Sequence, residues 1–248
     1  MKSDFHFHTI RLLAIKAGMD TDTANMMAWA SAFVDEANSW EDHGFKTYEN
    51  AINSLDDTAQ RMTWVPFHFW PSDGWIVNPN PHNLRELWWN EKTTRIQDGL
   101  FFHVYADTWA HQGFAGVWHH NNREGTYPIP PPIGHAQYGN LPDESFRIWR
   151  DQSGEAVDNS ERFIECAEEI WGLLSNFPMD RTLRGNILNV FNMTNEPARI
   201  ANLDRLSGCH ISFEDIHDQL WPKLRNEWIK ACKAHLSRAI PIMPLEKP

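Results

Sequence analysis

Cysteine is scarce in this chain, three among 248 residues. Cys166, Cys209 and Cys232 are widely spaced, which excludes a disulfide scaffold and a zinc ribbon and fits a reducing compartment. Long apolar runs are absent, and the mean hydropathy of -0.54 argues against a membrane-spanning helix. The opening Met1-Lys2-Ser3-Asp4 lacks the apolar stretch and small-residue cleavage site of a signal peptide. The expectation is therefore a soluble protein made and kept in the cytoplasm, unless a dedicated system exports it. Basic residues are also short, 22 Lys plus Arg against 33 Asp plus Glu for a net charge of -11, a surface that on average repels polyanions and disfavours broad nucleic-acid binding. GxSxG, P-loop, Rossmann and HExxH signatures are missing, which removes the mechanisms they announce.

What the chain has instead is 13 His and 13 Trp. Its length suits one hydrophobic core, and its periodicity is helical. Apolar residues recur at helical intervals from Thr9 to Lys16 and stop at Gly18. Asp20, Thr21 or Asp22 caps a second helix running to about Asn38, with Ala28, Ala32 and Asp35 on one face. Residues 40 to 82 read as mostly irregular, with a short extended piece in the run Met62 to Trp70. One long helix is expected from Leu84 to about Gln112, a functional or disordered loop over 117 to 142, and helices near 143–151, 158–176, 181–193 and 212–238. No strand alternation persists. The fold class predicted is all-α, a single domain over 1–240 with a loose tail over 241–248.

The strongest chemical signal is Phe101-Phe-His-Val-Tyr-Ala-Asp-Thr-Trp-Ala-His-Gln-Gly-Phe-Ala-Gly116. His103, Asp107 and His111 stand four residues apart, and at about 100° per residue they share an arc of roughly 80°. Phe102, Val104, Ala106 and Ala110 around them are apolar, so burying this stripe costs heavily unless a cation compensates it. Further His and Asp residues stand in apolar settings: Asp4, His6 and His8 in the opening, Asp35 in Ala-Phe-Val-Asp, His68 in Pro-Phe-His-Phe-Trp, and His135 after Pro-Ile-Gly. Singly, each is a weak signal, since a lone His between aromatics is more often a hydrogen-bonded core or surface residue than a ligand.

The order Asp35, His68, His103-xxx-Asp107, His111 and His135 resembles the zinc-dependent phospholipase C and single-strand nuclease superfamily, all-α proteins that hold three zinc ions between helices. The resemblance implies a first site of Asp35, His68, His103 and Asp107, with Asp107 reaching a second ion. His111 and His135 would serve another site, with Asp143 as its carboxylate. Members of that superfamily also use the amine and carbonyl of an N-terminal Trp as ligands. This chain begins with Met, so Asp4, His6 or His8 is expected to substitute, His6 first, on an extended opening segment pinned by its aromatics. Residues 4 to 145 also look like a family of uncharacterised bacterial proteins sharing the Phe-Val-Asp segment and the His-Val-Tyr-Ala-Asp-Thr-Trp-Ala-His-Gln run.

Other features have bland readings. His119-His120 reads as a solvated turn, Glu161, Glu165, Glu168 and Glu169 as helix-surface charge, and the prolines of 128–132 as a rigid loop flanking a pocket. With the residues, the resemblance implies a hydrolase of lipid or small phosphate esters with two or three Zn2+ ions, or Mn2+ in their place. In it Asp107 bridges, Asp35 acts as ligand or general base, and Trp64, Trp70, Trp75, Trp109 and Trp118 form apolar walls. The alternatives are a nuclease, another metallohydrolase, or a metal-stabilised helical binding protein without turnover.

Overall fold

Asp20 accepts a hydrogen bond from the Thr23 amide at 2.9 Å and so starts helix α2, Thr21–Glu36, after a first helix α1, Ile10–Lys16, has ended at Gly18 with φ of 95°. These elements belong to a computed structural model that describes residues 1–48, 56–72, 74–89, 93–124 and 130–245. Further helices follow in order: α3, Val65–His68; α4, His82–Trp89; α5, Arg95–Ala110; α6, Asn159–Leu174; α7, Arg181–Phe191; α8, Glu196–Ser207; and α9, Phe213–Ala239. Among the described residues the only paired strands are a hairpin, β1 (Ile148–Arg150) against β2 (Ala156–Asp158), with Trp149 opposite Val157. The protein is all-α, and no helix among the described residues is long and apolar enough to cross a membrane.

The centre of the fold is the pairing of α2 with α5, the most extensive contact between elements. Gly99 permits it. A Cβ there would run into the carbonyl oxygen of Met27 and stand 2.8 Å from Ala30 Cβ, so the two backbones approach as closely as small residues allow. Gly99 begins the stripe that continues through His103 and Asp107, and Asp35 lies farther along α2. Helix crossing and site geometry are therefore one feature.

Several expected elements take another form. The opening segment is a π-helix over Asp4–Thr9, not an extended strand, because it continues directly into α1. The long helix expected from Leu84 divides at Thr94, whose side chain accepts from the Gln97 amide while the Gln97 side chain accepts from the Thr94 amide. That capping box is legible as Thr94-Arg-Ile-Gln97. The run from Met62 is helical up to His68, as a π-turn over Gln60–Trp64 followed by α3. The helix expected at 143–151 is instead a 3-10 turn, Leu141–Asp143, and then β1. There Asp151 Oδ1 accepts from the amides of Ser153 and Glu155 and turns the hairpin.

Helix α8 has no counterpart among the expected helices, although Asn195 caps it ahead of Glu196-Pro197. The tail is not loose from Pro241: Ile240–Ile242 form a 3-10 turn and Met243 joins the core. Residues 246–248 and Pro128, the first proline of the 128–132 stretch, lie outside the described residues.

Candidate metal centre

Each side chain of the centre arrives from a different place in the chain. His103 and Asp107 come from the middle of α5, Asp35 from the end of α2, His68 from the end of α3 and His6 from the π-helix. His111 is the C-cap of α5, with φ of -93° and ψ of 22°, so it turns off the helix axis. His135 and Asp143 lie in the short turns that follow. All the residues expected from the sequence at the site converge here, while Asp4 and His8 face away and pair with Arg199 and Asp204.

On one side, His68 Nδ1 is 3.2 Å from Asp107 Oδ2 and 3.6 Å from Asp35 Oδ1. His103 Nε2 is 3.3 Å from Asp107 Oδ2, 3.7 Å from Asp35 Oδ1 and 3.2 Å from His68 Nδ1. Ligands bonded at about 2.0–2.2 Å to one tetrahedral ion stand roughly 3.3–3.6 Å from each other. The five separations, 3.2–3.7 Å, lie close to that range. On the other side, His111 Nε2 and His135 Nε2 lie 3.1 and 3.3 Å from the two oxygens of Asp143. The Met1 amine joins the two halves, 2.7 Å from Asp107 Oδ1 and 3.2 Å from Asp143 Oδ1, and Asp107 Oδ1 also lies 3.1 Å from His6 Nε2.

Backbone carbonyls decide which ring nitrogens carry protons. His68 Nε2 donates to the Thr47 carbonyl at 3.0 Å, His111 Nδ1 to the His68 carbonyl at 2.7 Å, and His135 Nδ1 to the Gly139 carbonyl at 2.8 Å. In the neutral rings, the nitrogens turned toward the carboxylates are therefore bare lone pairs. A lone pair facing a carboxylate oxygen at 3.1–3.3 Å is repulsive unless a proton on the ring or a metal ion lies between them; at His68 burial opposes the charged ring, and Asp107 with Asp35 outweighs it and raises the pKa. Buried nitrogens without a hydrogen-bond partner, His6 Nδ1 and His103 Nδ1, add to the imbalance. Imidazole and carboxylate donors in this combination suit zinc, manganese and related divalent ions.

The charges respond to this crowding. Burial works hardest against the charged form of Asp107, yet the Met1 ammonium, His111, His103 and His6 outweigh it and hold the carboxyl well below the ordinary range. Burial likewise opposes ionisation of Asp143, and His135 with the Met1 ammonium reverses the balance. The Met1 ammonium is pushed up to about 11: its desolvation is the largest single effect but is overcome by Asp107, Asp143 and Asp35. His6 falls to about 4, through burial and then the charge of His103.

Beside the cluster lies a cavity of about 270 Å3 lined by Tyr48, Trp64, Phe69 and the site residues. Asp35 is the least enclosed carboxylate there, its side chain 35% exposed. Of the expected tryptophan walls only Trp64 lines it. Trp70, Trp75 and Trp109 are buried in the core, and Trp118 stands exposed on the surface. His119 caps its own turn by accepting from the Asn121 amide.

Sequence reasoning missed the Met1 amine. The resemblance supplied the idea of a terminal amine as ligand, but the residue type at position 1 diverted it to Asp4, His6 and His8. The carbonyls of Thr47 and Gly139 carry no sequence signal at all.

Helices enclosing a histidine and carboxylate cluster define an all-α protein with a candidate multinuclear metal centre. The chain belongs to DUF6765, a family of unknown function, which it matches over residues 1–235. Comparison with curated proteins and with solved structures gives no match.

Proposed function

We propose that this protein is a divalent-metal-dependent hydrolase of phosphate esters, lipid or small-molecule, with Zn2+ or Mn2+ ions held by two donor sets that share Asp107. The observation that carries the reading is the convergence of buried imidazole nitrogens and carboxylate oxygens within 3.1–3.7 Å of one another, with the opposite ring nitrogens of His68, His111 and His135 committed to carbonyls. Asp35, His68, His103 and Asp107 form the first set. His111, His135 and Asp143 form the second, and His6 and the Met1 amine approach Asp107 between them. The resemblance to the phospholipase C and nuclease superfamily runs in the same direction.

Bound there, the ions would polarise a phosphoryl oxygen, bring a bound water toward neutrality and offset charge on the leaving oxygen. The residues do the rest. Asp107 would serve the first set through Oδ2, while its Oδ1 faces His6 and the Met1 amine at the border with the second. Asp35, facing the cavity, is placed to accept a proton from water. Tyr48, Trp64 and Phe69 give the cavity an apolar wall for the ester's organic part, and no lysine or arginine among the described residues lines it, so attraction for a phosphoryl anion would fall to the ions and the Met1 ammonium.

The test is element analysis of purified protein, followed by turnover of bis(p-nitrophenyl) phosphate, phosphatidylcholine and single-stranded DNA. Bound metal that is lost in His103→Ala, with chelator-sensitive turnover of at least one ester, supports the reading. Absence of metal at every stage of purification and reconstitution sinks it.

A further inference from the structure

Two buried ion pairs tie the N-terminal segment to α8, where His8 and Asp204 line a cavity of about 400 Å3 together with His6 and Asp35 of the metal centre. Arg199 Nε donates to Asp4 Oδ2 at 2.6 Å, with both side chains 1% exposed. Arg11 Nη2 donates to Asp204 Oδ1 at 2.6 Å, and the same oxygen accepts from His8 Nδ1 at 2.6 Å. Each arginine also caps a carbonyl just outside α8, Arg199 that of Met193 and Arg11 that of Ile211.

Such pairs are poor sources of stability. Desolvating two charges consumes most of what their attraction returns, and well-packed apolar residues in their place are often neutral or stabilising. The neighbours Phe5 and Phe7 are fully buried and already stabilise the segment by leaving water. Apolar burial, however, is non-directional and does not fix how a helix is rotated or how far it slides. Charge pairs with fixed hydrogen-bond geometry do.

Register matters here because the segment is a π-helix, whose wider turn is closed where Thr9 Oγ1 donates to the Asp4 carbonyl at 2.9 Å. Within that turn Asp4 and His8 point to α8. His6, between them, lies 3.1 Å from Asp107 Oδ1 and 4.0 Å from Asp35 Oδ2. Slipping by one residue would exchange a ligand for a phenylalanine.

We propose that Arg199 and Asp204 are positioning residues for the metal centre: by pairing with Asp4, and with His8 and Arg11, they lock the register of the π-helix so that His6 Nε2 and the Met1 amine reach Asp107. This rests on reading the His and Asp cluster as a metal centre. Neither residue touches the site. Both act through the segment they hold.

The experiment replaces one pair by apolar residues, Asp4→Met with Arg199→Met, in the full chain. The double variant is expected to keep or raise the thermal midpoint while binding Co2+ at least tenfold more weakly, with a changed visible spectrum as a nitrogen donor is lost. Arg199→Lys, with Asp4 intact, is expected to recover part of that affinity. A purely structural pair would let affinity follow thermal stability, and a double variant with wild-type Co2+ affinity and spectrum overturns the proposal. Should the double variant not fold, Asp204→Asn takes its place: weaker Co2+ binding with a changed spectrum supports the lock, and wild-type affinity and spectrum overturn it.

If the wild type binds no ion, the metal reading fails on its own. Register is then decided by hydrogen exchange in metal-free protein: amides of residues 4–9 exchanging at least tenfold faster in the double variant, with α5 unchanged, support the lock, and equal protection refutes it.

Discussion

The α-amino nitrogen of Met1 lies 2.7 Å from Oδ1 of Asp107, a buried contact between positions 106 residues apart in sequence. Once metal binding displaces its proton, the amine is a nitrogen donor where the two halves of the centre meet, 3.2 Å from Asp143 Oδ1 as well. Extra residues ahead of Met1 would replace it with a peptide nitrogen, which neither carries charge nor ligates. A short N-terminal tag is therefore expected to lower metal affinity tenfold or more relative to the same tag at the C-terminus, measured by competition with a chromogenic chelator. Equal affinities would remove the amine from the site.

Gly99→Ala tests whether helix approach sets the centre. The new methyl meets the Met27 carbonyl and Ala30, a clash with backbone that a rotamer change cannot relieve. Overpacking of this kind costs about 1–3 kcal/mol, and separating α2 from α5 moves Asp35 away from His103. Both a lower urea midpoint and weaker metal binding are expected. A variant that is merely destabilised, with unchanged affinity once folded, would uncouple the crossing from the site.

His235 supplies a pH dependence separate from the centre. It packs against Phe67 and Trp70 and donates through Nε2 to the Pro66 carbonyl at 2.8 Å. Burial lowers its pKa from 6.5 to about 4. The unfolded chain then binds a proton below about pH 6.5 that the folded chain refuses, so the stability His235 contributes is complete above 6.5 and is lost as pH falls toward 4. At 1.36 kcal/mol per unit the full loss is about 3 kcal/mol. Urea titrations of metal-free wild type and His235→Gln, from pH 7.5 to 4.5, should converge on acidification. Parallel curves would contradict this.

What the sequence shows of this molecule follows the range of the forces involved. Caps and glycine stops are local, so Asp20, Gly18 and the start of α9 at Ser212 are readable. The Thr94 capping box and the Asn195 cap are equally local signals, masked because the surrounding apolar pattern runs on without a break. The stripe of His103, Asp107 and His111 is legible from helical spacing, yet the turn of His111 off the helix, toward Asp143, depends on the Gly113 region and the later loop. Asp35, His68 and His6 are reached only through resemblance and apolar context, since no spacing rule links positions so far apart. The arginines that hold the opening segment lie near 200 positions from their partners or in α1, and nothing in the sequence marks them as paired.

Asp143→Asn separates the two halves of the centre. Loss of its charge leaves His111 and His135 without their carboxylate and touches none of the first set. The variant is expected to lose about one equivalent of bound metal while the ion held through His103 stays, as counted by element analysis. Loss of every ion would mean the two sets bind as one unit.

Hydrolysis of a phosphodiester by metal-loaded protein, compared between wild type and Asp107→Asn, tests the central claim most directly. Wild-type turnover is predicted to vanish with chelator, return with Zn2+ or Mn2+, and fall by orders of magnitude in the variant, because Asp107 both holds the ions and spaces them. Wild-type protein that is folded, fully metallated and inert toward phosphodiester, phosphomonoester, phospholipid and single-stranded nucleic acid would contradict it, and would make the centre a structural one whose binding energy serves folding.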